Sequence, residues 1–384
     1  MTSLCLSETQ SSTEAADADK GSVVLNVALY PYTPDNTRFE ASIRAEWAKI
    51  HPEVELHFLP WDCYYEDVPE AMDVFAFDVQ YLSYFAEKGF LMPIPQEALK
   101  DKADLLPFAL DGCMVDGVLY AVPQMVCTSL LYTRKDDSSL SSVRDVISLH
   151  EVMGDRIKQS VVPEIGEGLL VDMSINIIMI FMYLEALCDI TGVFIARDEV
   201  PDPNIVPSDQ AIASVRMLRA MGGASQVEMF PGNDIYVRAR WFSEGRGRAY
   251  IGFTEAMSAM SDKEYIFRPF SFAKNEGFPT LSVDGVGIHL NIDPKKKALA
   301  LDLVNIMTGR TVMVKSISPD IDHPSPQYLM SARISVYDDL GVDFPQYVVL
   351  KDVVTNPNNR ANRLGKNARK FIEDMQKIVD MICS

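Results

Sequence analysis

Apolar and polar positions change period repeatedly along this chain. Residues 23–30 (VVLNVALY) form a β-rich run that ends in the proline-containing turn YPYTP. Residues 35–50 then place Phe39, Ile43 and Trp47 on one helical face, with Thr37 and Glu40 spaced as a capping box. Residues 53–59 (EVELHFL) alternate as a strand. Strand, helix and strand within about 35 residues predict a βαβ unit, with parallel strands and a right-handed crossover. A third short strand over 72–78 ends on Asp78, and the helix that follows stops at Gly89.

Downstream, residues 116–136 read as two strand pieces around Pro123, because proline removes a ladder donor. Residues 208–221 form a capped helix with Ile212, Val215, Leu218 and Met221 as its apolar stripe. Residues 242–255 (FSEGRGRAYIGFTE) read as a glycine-rich turn entering a strand that ends on Glu255. A helix is expected over 294–308. A single amphipathic helix is expected over 365–383, with Phe371, Met375, Ile378, Val379 and Ile382 on one face. Strands alternating with helices, without internal repeats, place the chain in the α/β class.

Composition narrows the partners. Lys and Arg number 35 and Asp and Glu 54, a net charge of −19 over 384 residues. So acidic a chain repels phosphate backbones and anionic lipid, which disfavours nucleic-acid and membrane-surface partners. The apolar run 175–188, interrupted by Asn176 and Glu185, is too short to span a bilayer and reads as a buried helix. Residues 1–22 are polar and expected to be disordered; they lack the basic start and apolar core of a signal peptide. Six scattered cysteines without a CxxC pair, and five histidines without HxH or HExxH, point to free thiols and no metal site. EGRGRA (244–249) is a tight turn rather than a phosphate loop, and SPDIDHP (318–324) a proline-bounded loop rather than a metal site.

One region suggests a ligand. Tyr30 and Tyr32 sit at a strand end, Trp61, Tyr64 and Tyr65 follow the second strand, and Asp78 ends the third. Parallel strands would gather these aromatics and the carboxylate at their carboxyl ends, a slot suited to a cationic heteroaromatic molecule. Ordinary core and rim tyrosines fit the same pattern.

The order of elements, with DVFAFD (73–78), AEKGFLMPI (86–94) and DGVLYAVPQ (116–124), resembles the type II periplasmic solute-binding fold. PQMVCTSL (123–130) and GRAYIGFTEAM (247–257), supported by YVRARWF (236–242), PQYLMSAR (326–333) and NRANRLG (359–365), resemble the thiaminase I family, the thiamine pyridinylases. The resemblance covers roughly residues 23–384. It implies a two-lobed α/β protein with its site in the interlobe cleft: one lobe of residues 23–125 plus 268–315, the other of 126–267 plus 316–384. It implies Cys127 as nucleophile and Glu255, 128 residues later, as the base that activates it. Tyr30, Tyr32, Tyr64, Asp78, Tyr236 and Asp284 match positions lining the pyrimidine and thiazolium pocket. Two positions that carry tyrosine in the family pattern are here Phe253 and Ser282.

The implied reaction displaces the thiazole of thiamine from the pyrimidine methylene by an added organic base, through a covalent Cys adduct, with no cofactor and no metal. The partners expected are therefore thiamine and a nucleophilic base co-substrate, acting on a monomer. If a leader has been removed the protein is expected to be extracellular, as in bacterial family members, and otherwise cytosolic. Two alternatives stay open: a non-catalytic binder of thiamine or a related pyrimidine, and a transporter-coupled sugar- or amine-binding protein.

Overall fold

The computed structural model describes residues 23–158, 160–192, 208–227, 234–261, 264–274 and 280–384. The segment 1–22, expected to be disordered, lies outside the described residues.

β1 (Val23–Ala28) leads into α1 (Asn36–Trp47), whose buried face carries Phe39, Ile43 and Trp47. Asp35, in extended backbone, accepts the Thr37 N–H at 2.9 Å and is the N-cap, so the expected Thr37–Glu40 capping box does not form. Thr37 donates its hydroxyl to the same carboxylate, because an aspartate two residues upstream is the stronger acceptor for the exposed helix start. β2 (Val54–Phe58) and β3 (Val74–Asp78) flank β1, both parallel to it, which establishes the βαβ unit. α2 (Leu82–Glu87) ends just before Gly89, whose φ of +74° turns the chain.

α3 (Pro107–Gly112) and the hairpin β4 (Met114–Val115) to β5 (Val118–Leu119) lead into β6 (Ala121–Cys127). β6 runs unbroken through Pro123, where two pieces were expected. The ladder shifts there: Asp284 faces Met125 and Gly285 faces Pro123, so Gln124 is the extra residue of a bulge that accommodates the proline.

Two residues later β7 (Leu130–Arg134) enters a second sheet. α4 (Val146–Met153), β8 (Ile165–Val171), α5 (Asn176–Thr191), α6 (Asp209–Gly222), α7 (Val237–Ser243), β9 (Gly247–Gly252) and β10 (Tyr265–Arg268) build this lobe. Among the described residues its sheet order is β10–β7–β9–β8. Tyr132 anchors its core against Tyr250, Tyr265 and Phe267, at ring separations of 5.3, 5.7 and 5.8 Å. The apolar run after residue 175 is α5, as its pattern indicates.

The chain returns to the first sheet with β11 (Thr280–Ile288), inserted antiparallel between β3 and β6. α8 (Lys297–Met307), α9 (Arg310–Ile317), β12 (Met330–Ser331), α10 (Ile334–Gly341), α11 (Gln346–Val354) and β13 (Arg360–Ala361) follow, then α12 (Ala368–Asp374) and α13 (Gln376–Cys383). The first sheet reads β12–β6–β11–β3–β1–β2, with β13 beside the start of β11.

Residues 316–384 were expected in the second lobe. Instead β12 pairs with β6, β13 pairs with β11, and the Ile317 carbonyl accepts from Arg38 of α1, so this stretch stays with the first lobe. α13 docks on the second, where Arg216 and Arg219 of α6 donate to the carbonyls of Met381 and Cys383. The predicted single C-terminal helix is broken at Met375, which ends α12 and opens α13. The break lets Arg369 of α12 bond the carbonyls of Cys63, Tyr64 and Glu66 in one lobe while α13 covers the other. Among the described residues no helix is long and apolar enough to cross a membrane.

Candidate active site at the lobe junction

β3 and β6 run in the same direction with β11 reversed between them, so their carboxyl ends share one edge of the first sheet. Asp78 closes β3 and lies directly across from Asp284. Cys127 closes β6 and lies across from Ser282. Cross-strand partners share a face, so two carboxylates, a hydroxyl and a thiol form two adjacent rows at this edge.

The Asp78 row is tightly bonded. Tyr64 donates its hydroxyl to Asp78 Oδ2 at 2.6 Å, and the Tyr30 and Tyr64 hydroxyls are 3.0 Å apart. Gln80 gives Asp78 its backbone N–H at 2.9 Å and its Nε2 at 3.1 Å. The same Nε2 reaches Ser282 Oγ at 3.0 Å and ties the two rows together. Tyr32 packs edge-on to Tyr30 and Tyr64, at 5.6 Å each, and donates to Asp62 at 2.6 Å. Trp61 is not in this slot: it is buried against Phe75 and Phe85. Tyr65 points to solvent at 75% exposure.

Glu255 reaches the site from the second sheet. Leu130, three residues after Cys127, pairs with Gly252, three residues before Glu255, so antiparallel β7 and β9 deliver both residues to one end of the sheet. Glu255 does not end the strand as expected; it sits in a short 3₁₀ turn after β9. Tyr132 anchors this turn by donating to the Phe253 carbonyl at 3.2 Å, and Ser258 Oγ bonds the Glu255 carbonyl at 2.6 Å. Phe253 is 38% exposed, at the rim. The Tyr236 hydroxyl, at the start of α7, is buried without a hydrogen-bond partner and feels the charges of Glu255 and Cys127.

Burial dominates the electrostatics. It pushes Glu255 up to about 7, against weaker hydrogen bonds that pull the other way. It pushes the Cys127 thiol well above its ordinary value, and Glu255, Asp284 and Asp78 add to that rise. Asp78 is raised by burial to about 6, held back by the bonds from Tyr64 and Gln80. Asp284 is raised further by burial and by the facing charges of Asp78 and Glu255. At neutral pH the thiol is therefore neutral, Glu255 is near its midpoint, and burial holds both aspartates toward their neutral forms. Among the described residues no cluster of three or more His, Cys, Asp or Glu could hold a metal ion.

The Thiaminase-1 domain pattern matches residues 128–271, and the bacterial extracellular solute-binding protein pattern matches 30–139. "Thiaminase-1" of Paenibacillus thiaminolyticus is 36% identical over 369 residues, which is 95% of this chain and 90% of the relative. The chain belongs to the thiaminase-1 family. The structure of Clostridium botulinum thiaminase I in complex with thiamin superposes with a TM-score of 0.91 at 39% identity, covering 94% of this chain and 100% of the other. The maltose-bound MalE3 of T. maritima, at 16% identity, a TM-score of 0.66 and 94% and 97% coverage, shares the fold alone. The thiaminase-1 chain thus has the two-lobed α/β architecture of periplasmic binding proteins.

Two cleft residues escaped the sequence reading. Gln80 lies two residues past a strand end, and its double bond to Asp78 and Ser282 needs the β3–β11 pairing to exist. Glu185 was visible only as the acid interrupting an apolar run. That interruption was its signal, since a buried helix face carries a carboxylate only when something faces it.

Proposed function

We propose that this chain cleaves thiamine, displacing its thiazole from the pyrimidine methylene with an organic base. The observation that carries the reading is the convergence of Cys127, half-buried, and Glu255, buried, on one end of the β7–β9 pair, with opposite chemical roles. Cys127 adds to the pyrimidine ring at C6. Its proton passes to Glu255 as the carbon–sulfur bond forms, so no free thiolate has to persist beside three carboxylates. Glu255, raised to about 7, is matched to that transfer near neutral pH. The thiazole leaves as a neutral molecule, the base takes its place on the methylene, and sulfur departs with its bonding pair. Cysteine suits both ends of this sequence, because sulfur attacks carbon readily and leaves it readily.

Substrate recognition falls to the other lobe. Asp78 and Asp284, both raised by burial, can offer an acceptor when ionised and a donor when protonated, which fits an aminopyrimidine edge. Their remaining charge and the tyrosine rings suit the thiazolium cation. The test is incubation with thiamine and pyridine, followed by mass analysis. Free thiazole and the pyridine-substituted pyrimidine should accumulate over many turnovers. Tight thiamine binding with no thiazole release would reduce the chain to a binding protein.

A further inference from the structure

Between β2 and β3 the chain crosses residues 59–73 without a helix or strand of its own, and this crossing carries the tyrosine that donates to Asp78. Tyr64 sits on a turn built by Asp62. One Asp62 carboxylate oxygen accepts the Tyr64 N–H at 2.9 Å, and the Asp62 carbonyl accepts the N–H groups of Tyr65 and Glu66. The other carboxylate oxygen takes the Tyr32 hydroxyl, so one turn supports two rings of the slot. The carbonyls of this turn are bound from the far end of the chain. Arg369 of α12, 305 residues after Tyr64, donates to the Tyr64 carbonyl at 2.9 Å, to Cys63 at 3.2 Å and to Glu66 at 2.7 Å. Its Nε lies 3.3 Å from the Asp67 carboxylate. Its guanidinium also lies over the rings of Tyr81 and Tyr84, at 5.6 and 5.3 Å. Tyr81 in turn packs edge-on to the Tyr64 ring at 5.7 Å. Backbone and ring of Tyr64 are thus both held by groups that Arg369 touches. The arginine is itself fixed, because Met375, which ends its helix, opens α13, and the α13 carbonyls accept from Arg216 and Arg219.

Resting on the thiamine-cleaving reading, we propose that Arg369 is a positioning residue for thiamine recognition, acting through Tyr64 by holding its hydroxyl on Asp78. A hydrogen bond of 2.6 Å tolerates little displacement, and a tyrosine has two side-chain torsions with which to correct for a moved backbone. With the three carbonyls released, the turn drifts and the Tyr64 hydroxyl leaves Asp78. Asp78 then loses a bond that favours its charged form, and with it part of the acceptor offered to the substrate. A guanidinium suits this task, because its five donors lie in one rigid plane and reach several acceptors at once. A lysine ammonium is a point charge on a flexible stem and holds fewer of them.

The experiment is a double-mutant cycle of Arg369→Met and Tyr64→Phe in the full chain, with thiazole release from thiamine and pyridine as the readout. Methionine keeps an apolar stem beside Tyr81 and removes every donor. Arg369→Met alone should raise the KM for thiamine about tenfold and keep kcat within about threefold, the pattern of lost binding rather than lost chemistry. Added to Tyr64→Phe it should change KM by less than about threefold, because the hydroxyl it positions is already gone. Arg369→Lys should recover part of the wild-type KM. Full additivity with Tyr64→Phe, a loss confined to kcat, or no change in KM overturns the assignment. If Arg369→Met does not fold, Arg369→Lys carries the same cycle: a KM raised above wild type and no further effect beside Tyr64→Phe support the assignment, and an additive effect or an unchanged KM overturns it. Wild-type protein that binds thiamine without releasing thiazole ends the thiamine-cleaving reading alone, and the cycle measured on the calorimetric Kd then decides on Arg369. Wild-type protein that does not bind thiamine ends both.

Discussion

The two walls of the cleft are built differently. On the first lobe Tyr30, Tyr64, Asp78, Gln80 and Ser282 form a chain of short hydrogen bonds laid along the ends of three strands. On the second lobe the Tyr236 hydroxyl is buried without a partner, and Glu185 has none among the described residues. Glu255 sits there in a turn, with its carboxyl held above the usual range by burial. A self-bonded wall is rigid before any ligand arrives and serves recognition. A wall of unsatisfied or neutralised groups is ready to exchange protons and to bond to something absent from the free protein. On the proposed function, binding and chemistry are therefore divided by lobe, with Cys127 at the crossing between them.

The largest test of that division removes the residue at the crossing. Cys127→Ser should abolish thiazole release, by on the order of 10³-fold or more, while thiamine binding by calorimetry persists, because the recognition wall is untouched. A serine variant with the parent rate would break the assignment. Of the other described cysteines, Cys63, Cys113 and Cys188 are buried and Cys383 is half-buried like Cys127, so alkylation of the native protein should be confined to Cys127 and Cys383, and thiamine should slow it at Cys127 alone.

Next comes the reacting wall. Glu255→Gln should cost about 10²–10⁴-fold in kcat with little change in thiamine affinity, and the rise of kcat/KM with pH through about 7 should disappear. An unchanged pH profile would show that another group titrates.

A smaller effect contrasts two tyrosines directly. Tyr64→Phe strips Asp78 of a donor and Tyr30 of a partner, so it should lower stability by about 1–3 kcal/mol and raise the KM for thiamine roughly tenfold. Tyr236→Phe removes a hydroxyl that has no partner, so it should leave the melting temperature unchanged or higher, and act only on turnover. Equal destabilisation by both changes would erase the distinction between the walls.

The smallest effect is on the pH dependence of stability. Asp78, Asp284 and Glu255 have folded-state pKa values above those of the unfolded chain. The folded protein thus binds protons more tightly, and its stability falls as pH rises from the ordinary carboxylate range through about 6 for Asp78 and about 7 for Glu255. Asp284→Asn removes a carboxyl that burial and the facing charges of Asp78 and Glu255 hold above its ordinary range. Its melting temperature should fall less than that of the wild type between pH 5 and pH 8, by about 2–4 °C in a calorimetric scan. Parallel curves would mean that Asp284 bears no charge penalty.

Much of this was legible in the chain because local patterns carry it. The βαβ opening followed from the alternation in 53–59 and the Phe39, Ile43, Trp47 spacing, which need no distant partner to be read. The α6 helix followed from Ser208 and its apolar stripe. Cys127 and Glu255 were named only through family resemblance, since neither carries a local mark of reactivity. What tertiary structure decided is long-range. The reversal of β11 between β3 and β6 sets Asp78 against Asp284, which lie 284 − 78 = 206 residues apart, and so creates both the facing carboxylates and the seat for Gln80. The Leu130–Gly252 pairing brings Cys127 and Glu255 to one end of a sheet. The assignment of β12 and β13 to the first lobe rests on two-residue ladders too short to leave a periodic signal. Periodicity reports which face of an element is buried; it does not report what buries it, and pKa, orphaned acceptors and cleft walls all depend on that second fact.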